Sequence, residues 1–292
     1  MKYNMAFKTR QGKEEVLKYS DMLLEKLTIP YERLNLNTRH GSTFCIAAGD
    51  LALPPMILLH GSSMNSCMWI SNILKYHQKY RVYAVDLPGE AGRSDERQLP
   101  FTNSDLDDWL YDVFQELSIN QAVLIGASLG GWLAAKFATK YPDKIIQLVL
   151  MCPAGIGTQN KSFIFTALFY MMFGERGLRK LSKIINGNVD MPEIFFKFQI
   201  LIGKHFNVRR EAIPVFTDEE LMRLTAMPVF LFVGGKDVLL ISAETAERMK
   251  KLVPNADINI LPDAGHSLTS LTDTIFEKLE QSENKVKYQR ED

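Results

Sequence analysis

The chain carries no net charge, with 34 Lys and Arg against 34 Asp and Glu. Nucleic-acid binders normally hold a basic excess, so the balance argues against that class of partner. Cysteine is scarce. Cys45, Cys67 and Cys152 form an odd, scattered set, with no disulfide framework and no Cys-x-x-Cys metal spacing. That pattern suits a reducing compartment, and the expectation is a cytoplasmic protein. Long apolar runs are missing. The longest, 163–173, has eleven residues and is broken by Thr166, whereas a membrane-spanning helix needs about 20. Residues 1–15 alternate charged and polar side chains and lack the apolar core of a signal peptide. Neither Gly-x-x-x-x-Gly-Lys nor His-Glu-x-x-His occurs, and no Gly-x-Gly-x-x-Gly follows a strand. So no nucleotide or metal motif competes.

What is present is an ordinary globular composition, 46% hydrophobic and 23% charged. Its 292 residues suffice for a large core. They would divide into about two average domains, though α/β folds often run this long as one. Val16, Leu23 and Leu27 recur near helical spacing and predict a helix between Lys13 and Lys26, before Pro30. Two extended runs, 31–36 and 43–48, flank Asn37-Thr38-Arg39-His40-Gly41, a hairpin turn in which Gly41 can take positive φ. The pattern then changes. Continuous Val, Ile and Leu runs occupy 56–59, 82–85, 122–125, 145–151 and 229–233. Strands buried on both faces read this way, because helices cover both sides of a parallel sheet. Helical patterns such as 105–117 and 132–139 lie between them, so the class is α/β.

One segment breaks the alternation. Residues 154–225 are rich in Phe, Met, Leu and Ile without a clear strand, and are too long for a bare loop. They read as a helical cap over one edge of the sheet. The expected organisation is a helical extension over 1–30, an α/β core over 31–153 and 226–280, the cap over 154–225, and a polar tail over 281–292 that frays.

The chemistry centres on Gly126-Ala127-Ser128-Leu129-Gly130-Gly131, between the strand 122–125 and the helix from Trp132. A Ser at a sharp strand-to-helix turn is forced into strained φ/ψ, and small residues two before and two after let neighbouring backbone pass. The strain lifts its oxygen above the sheet, at the positive end of a helix. A nucleophilic Ser needs a base. The order nucleophile, acid, base leaves His205 and His266. His205 lies within the cap. His266 follows the run 257–261 on a loop, where the base belongs. The acid should sit at a strand end between Ser128 and His266. Asp237, after 229–233, is the choice over Asp263, with a helix N-cap as its alternative role. The expected oxyanion donors are the N–H of Leu129, after the nucleophile, and that of Ser62 in His60-Gly61-Ser62-Ser63-Met64, with Ser63 second. His60 is expected to hold this loop through the backbone. Asp86 and Arg93 are expected to brace the connection 86–94.

Taken together and in this order, His60-Gly61, the loop 86–94, the Ser128 elbow, Asp237 and His266 resemble the α/β-hydrolase superfamily, over about 31–280. Val215-Phe216-Thr217-Asp218-Glu219-Glu220-Leu221 and the N-terminal helix look most like bacterial carboxylesterases of the naproxen-esterase type. The resemblance implies an eight-stranded, mostly parallel sheet, a helical cap after the sixth strand, and no cofactor. There are two departures. The loop 86–94 has one residue more than the common Asp-x-Pro-Gly-x-Gly-x-Ser form. Ser62-Ser63 replaces a run of glycines, unlike the hormone-sensitive-lipase branch.

The leading expectation is a serine esterase for small, partly apolar esters. Phe163, Phe165, Phe169, Met171, Met172, Phe195, Phe196 and Phe198 would wall its pocket or pack the cap's own core. The same triad could serve a thioester, lactone, amide or carbon–carbon bond. A non-catalytic ligand binder is the different-class alternative. Dehalogenases and epoxide hydrolases of this fold carry Asp where Ser128 stands.

Overall fold

Eight short runs pair into one sheet: β1 (Tyr31–Thr38), β2 (Gly41–Ala48), β3 (Pro55–Leu59), β4 (Arg81–Val85), β5 (Ala122–Ala127), β6 (Ile145–Met151), β7 (Val229–Gly234) and β8 (Asp257–Leu261). The computed structural model describes residues 4–160, 162–268 and 271–291. Residues 1–3 of the expected extension and Asp292 of the expected tail lie outside them. The strand order is β1-β2-β4-β3-β5-β6-β7-β8. β1 pairs antiparallel with β2, and β2 with β4. All other pairs in this order are parallel. The fold is an eight-stranded, mostly parallel sheet flanked by helices.

Alternation along each strand divides the core into two layers. Ile57 and Leu59 of β3 face one layer, while Met56 and Leu58 face the other. This is why the strands read as unbroken apolar runs: both faces are covered. The first layer holds α3 (Asp105–Glu116), α4 (Leu129–Lys140) and α9 (Ser242–Leu252). The second holds α1 (Arg10–Leu24), α2 (Ile70–Tyr76) and α10 (Thr272–Glu291).

Element ends moved where capping decided them. α1 starts at Arg10 because the Thr9 side chain accepts from the Gly12 N–H, an N-cap that fixes the first turn. The hairpin tightens to Arg39-His40, with Gly41 at φ +108°. α4 begins at Leu129, three residues before the apolar periodicity, since Gly130 and Gly131 hide the helix start. The backbone of α10 continues to Glu291, where a fraying tail was expected.

Between β6 and β7 lie α5 (Phe163–Met171), α6 (Gly174–Ile185), α7 (Glu193–His205) and the short α8 (Asp218–Met222). α1 is bound to α7. Tyr19 stacks on Phe198 at 5.5 Å between centroids, and its hydroxyl donates to the Ile194 carbonyl at 2.9 Å. Phe198, Ile202 and Phe206 share one buried cluster with Val16 and Leu23. The N-terminal segment is therefore a support for α7.

Candidate active site

Ser128 stands at the C-terminal end of β5 with φ +52° and ψ −110°. A Cβ on Gly126 would lie 2.2 Å from the Gly130 carbonyl oxygen, and one on Gly130 would lie 2.2 Å from that of Leu59. Side chains at either position would collide with backbone, so both glycines are needed for this turn.

The half-buried Ser128 meets two residues from distant loops. Its Oγ lies 2.9 Å from His266 Nε2, and His266 Nδ1 lies 2.7 Å from Asp237 Oδ2. The network assigns the tautomer: Nδ1–H donates to Asp237, and Nε2 is left to accept from Ser128. The Asp237 side chain is fully buried. Burial alone would push its carboxyl up. The His266 hydrogen bond and charge, with the Leu239 and Leu240 N–H groups, hold it below the usual value instead. Those two N–H groups bind Oδ1 at 2.7 and 3.1 Å. Asp237 thus braces its own loop, and the N-cap of α9 is Ile241. Asp263 pairs with Lys236 at the surface. His205 packs against α1, with Nε2 3.0 Å from Glu15. The His266 loop rests on the end of α6, where the His266 N–H donates to the Ile185 carbonyl at 2.8 Å.

The loop after β3 runs alongside the elbow. A Cβ on Gly61 would lie 3.5 Å from Ser128 Cβ. Among the described residues the N–H groups of Ser62 and Leu129 have no hydrogen-bond partner. Ser63, the second choice, is occupied: its N–H donates to Glu90 Oε2 at 2.7 Å. His60 is buried and bridges backbone. Its Nε2 accepts from the Leu87 N–H at 2.9 Å, and Nδ1 donates to the Gly61 carbonyl at 2.8 Å. Burial pushes His60 below its ordinary value, favouring the neutral ring this pattern requires. Asp86 braces its connection, accepting from the Ser66 and Arg93 N–H groups at 2.7 Å each.

Three residues beside the site escaped the sequence reading. Cys152, at the end of β6, has φ +43° and is buried. Its sulfur, the Asp237 carboxylate and a His266 nitrogen lie within 4.8 Å of one another. That spacing suits a metal. Burial and the Asp237 charge push the Cys152 thiol up, and the Asp237 carboxylate and His266 Nδ1 are already engaged with each other at 2.7 Å. Glu90 and Arg209 form a buried ion pair at 2.8 Å. The one available sign was the extra residue in the loop 86–94.

The sequence profile of the alpha/beta hydrolase family matches residues 56–273. The chain belongs to this family. The hydrolase is 32% identical to an uncharacterised carboxylesterase, nap, of Bacillus subtilis, over 80% of each chain. It is 30% identical to the carboxylesterase YbfK of the same organism, over 85% of this chain and 86% of that one. Its fold superposes on the crystal structure of the Bacillus subtilis naproxen esterase with a TM-score of 0.83 at 28% identity, covering 94% and 99% of the two chains. No described helix of the hydrolase is long and apolar enough to cross a membrane.

The aromatic residues of 154–225 divide. Phe196 and Phe198 are buried as core. Phe165, Phe169, Met171 and Met172 are exposed, Phe165 by 74% and Met172 by 81%. They lie at the surface, outside the buried core, while Phe163 and Phe195 are half-buried. Helix α5 is apolar nearly all round, so it cannot bury every face against the hydrolase.

Proposed function

We propose that the protein is a serine carboxylesterase working through an acyl-enzyme. The observation that carries this reading is the continuous row from Ser128 Oγ through His266 to Asp237, at 2.9 and 2.7 Å. Ser128 attacks the ester carbonyl as His266 Nε2 takes its proton. Asp237 keeps Nδ1 protonated and stabilises the imidazolium. The Ser62 and Leu129 N–H groups receive the developing oxyanion, where each donor contributes about 2.7–4 kcal/mol. His266 then protonates the leaving alcohol, and a water activated by the same His releases the acid.

The names of the relatives favour an ester over a thioester, lactone, amide or carbon–carbon bond. In this reading 154–225 is a cap over the site, with 31–153 and 226–280 as core. The substrate is a small, partly apolar ester. The buried, unpaired Cys45, Cys67 and Cys152 support a cytoplasmic setting.

Ser128→Ala is expected to lower p-nitrophenyl acetate hydrolysis by at least about 10⁴-fold and to abolish fluorophosphonate labelling, with an unchanged melting temperature within a few degrees. Full activity in that variant would overturn the reading.

A further inference from the structure

The geometry points to Glu90 as the positioning residue of the oxyanion loop, tied by Arg209 to the segment 154–225. This inference rests on the serine-hydrolase reading above. Glu90 has a fully buried side chain, and Arg209 is 6% exposed. Arg209 Nε donates to Glu90 Oε1 at 2.8 Å, one terminal nitrogen to the Leu99 carbonyl at 2.7 Å, and the other to the Pro88 carbonyl at 3.0 Å. The guanidinium also lies over the Phe101 ring, 4.7 Å from its centroid. One oxygen of Glu90 is thereby held, and the other accepts from the Ser63 N–H at 2.7 Å.

That bond controls the peptide next to it. A peptide group is planar, so its C=O and N–H point in opposite directions. His60 holds the Gly61 carbonyl at 2.8 Å, which aims the Ser62 N–H the other way. Glu90 holds the following N–H, with Ser63 at φ +56°. A non-glycine residue in that region costs about 1–2 kcal/mol, and a charge-assisted bond to a buried carboxylate is strong enough to hold it there. The Ser62 N–H is thus pinned from both sides. Without Glu90, Ser63 can relax to negative φ, the peptide between Ser62 and Ser63 turns, and the Ser62 N–H is held from one side only. Glu90 touches no reacting atom and acts through the loop.

The experiment is steady-state kinetics of full-length Glu90→Gln on p-nitrophenyl acetate, beside Ser128→Ala. An effect confined to the oxyanion lowers kcat about 10- to 100-fold, with KM within about two-fold of the parent. Affinity for a trifluoromethyl ketone, which forms a tetrahedral adduct on Ser128, is expected to weaken by the same factor as kcat/KM. A purely structural role would lower the melting temperature and leave kcat of the folded enzyme alone. If Glu90→Gln does not fold because Arg209 loses its counter-charge, Glu90→Gln/Arg209→Gln removes both charges, and the same split is expected there. Folded variants with parental kcat, or with raised KM at unchanged kcat, overturn the proposal. Full activity in Ser128→Ala instead overturns the reading beneath it.

Discussion

At Asp237 a buried carboxylate meets a histidine and two backbone N–H groups, and each partner favours its ionised form. Its native pKa lies below the ordinary Asp value. The ionised group therefore stabilises the fold at all pH values above the unfolded pKa of about 3.9. That contribution disappears as pH falls through the lower native value. Asp237→Asn should flatten the acid limb of a plot of melting temperature against pH. The same variant should lower kcat at neutral pH by about 10⁴-fold, since an amide N–H facing Nδ1 favours the wrong imidazole tautomer. An unchanged acid limb together with near-parental kcat would show that the His266 contact does not operate in solution.

Elements explain what the aromatic residues of 154–225 do. Phe198 on α7 is fully buried against α1, whereas Phe165 on α5 faces solvent. Phe198→Ala should cost about 3–5 kcal/mol, the usual range for a buried Phe. Phe165→Ser should stay within about 0.5 kcal/mol of the parent. Urea midpoints of the two variants check both, and equal midpoints would contradict this division. Sequence spacing could not separate these residues. Both lie in apolar helices, α5 packing on α6 and α7 on α1, and the difference is that Phe198 sits on a covered face and Phe165 does not. Val16 and Leu23 made α1 visible as a helix, but nothing local announced that its buried face was meant for Phe198 and Ile202.

The whole molecule has 34 basic and 34 acidic residues, so no net field steers a substrate. For an uncharged ester, kcat/KM should change less than about two-fold between low salt and about 0.5 M salt. A steep salt dependence would point to an anionic or cationic substrate instead. The layered architecture also explains the pattern of correct and shifted readings. β6 occupies the very residues that its apolar run marked, because a strand covered on both faces must be apolar throughout. Ends such as Leu129 and Thr38 moved, since they depend on single caps and turn angles.

Local pattern was enough for the sheet, for the elbow around Ser128, and for Asp237 and His266 as candidates. Each rests on a rule written into neighbouring residues: apolar runs, glycines at fixed offsets, polar residues just after strands. Contacts between residues far apart in the chain followed no such rule. Glu90 meets Arg209 across more than a hundred positions. Cys152 comes beside Asp237 because β6 and β7 are neighbours in the sheet. The Ser63 N–H is withdrawn by a carboxylate from another loop, which leaves the one at Ser62. Buried charge must find its counter-charge wherever the packed chain brings it, and only the folded arrangement determines which residue that is.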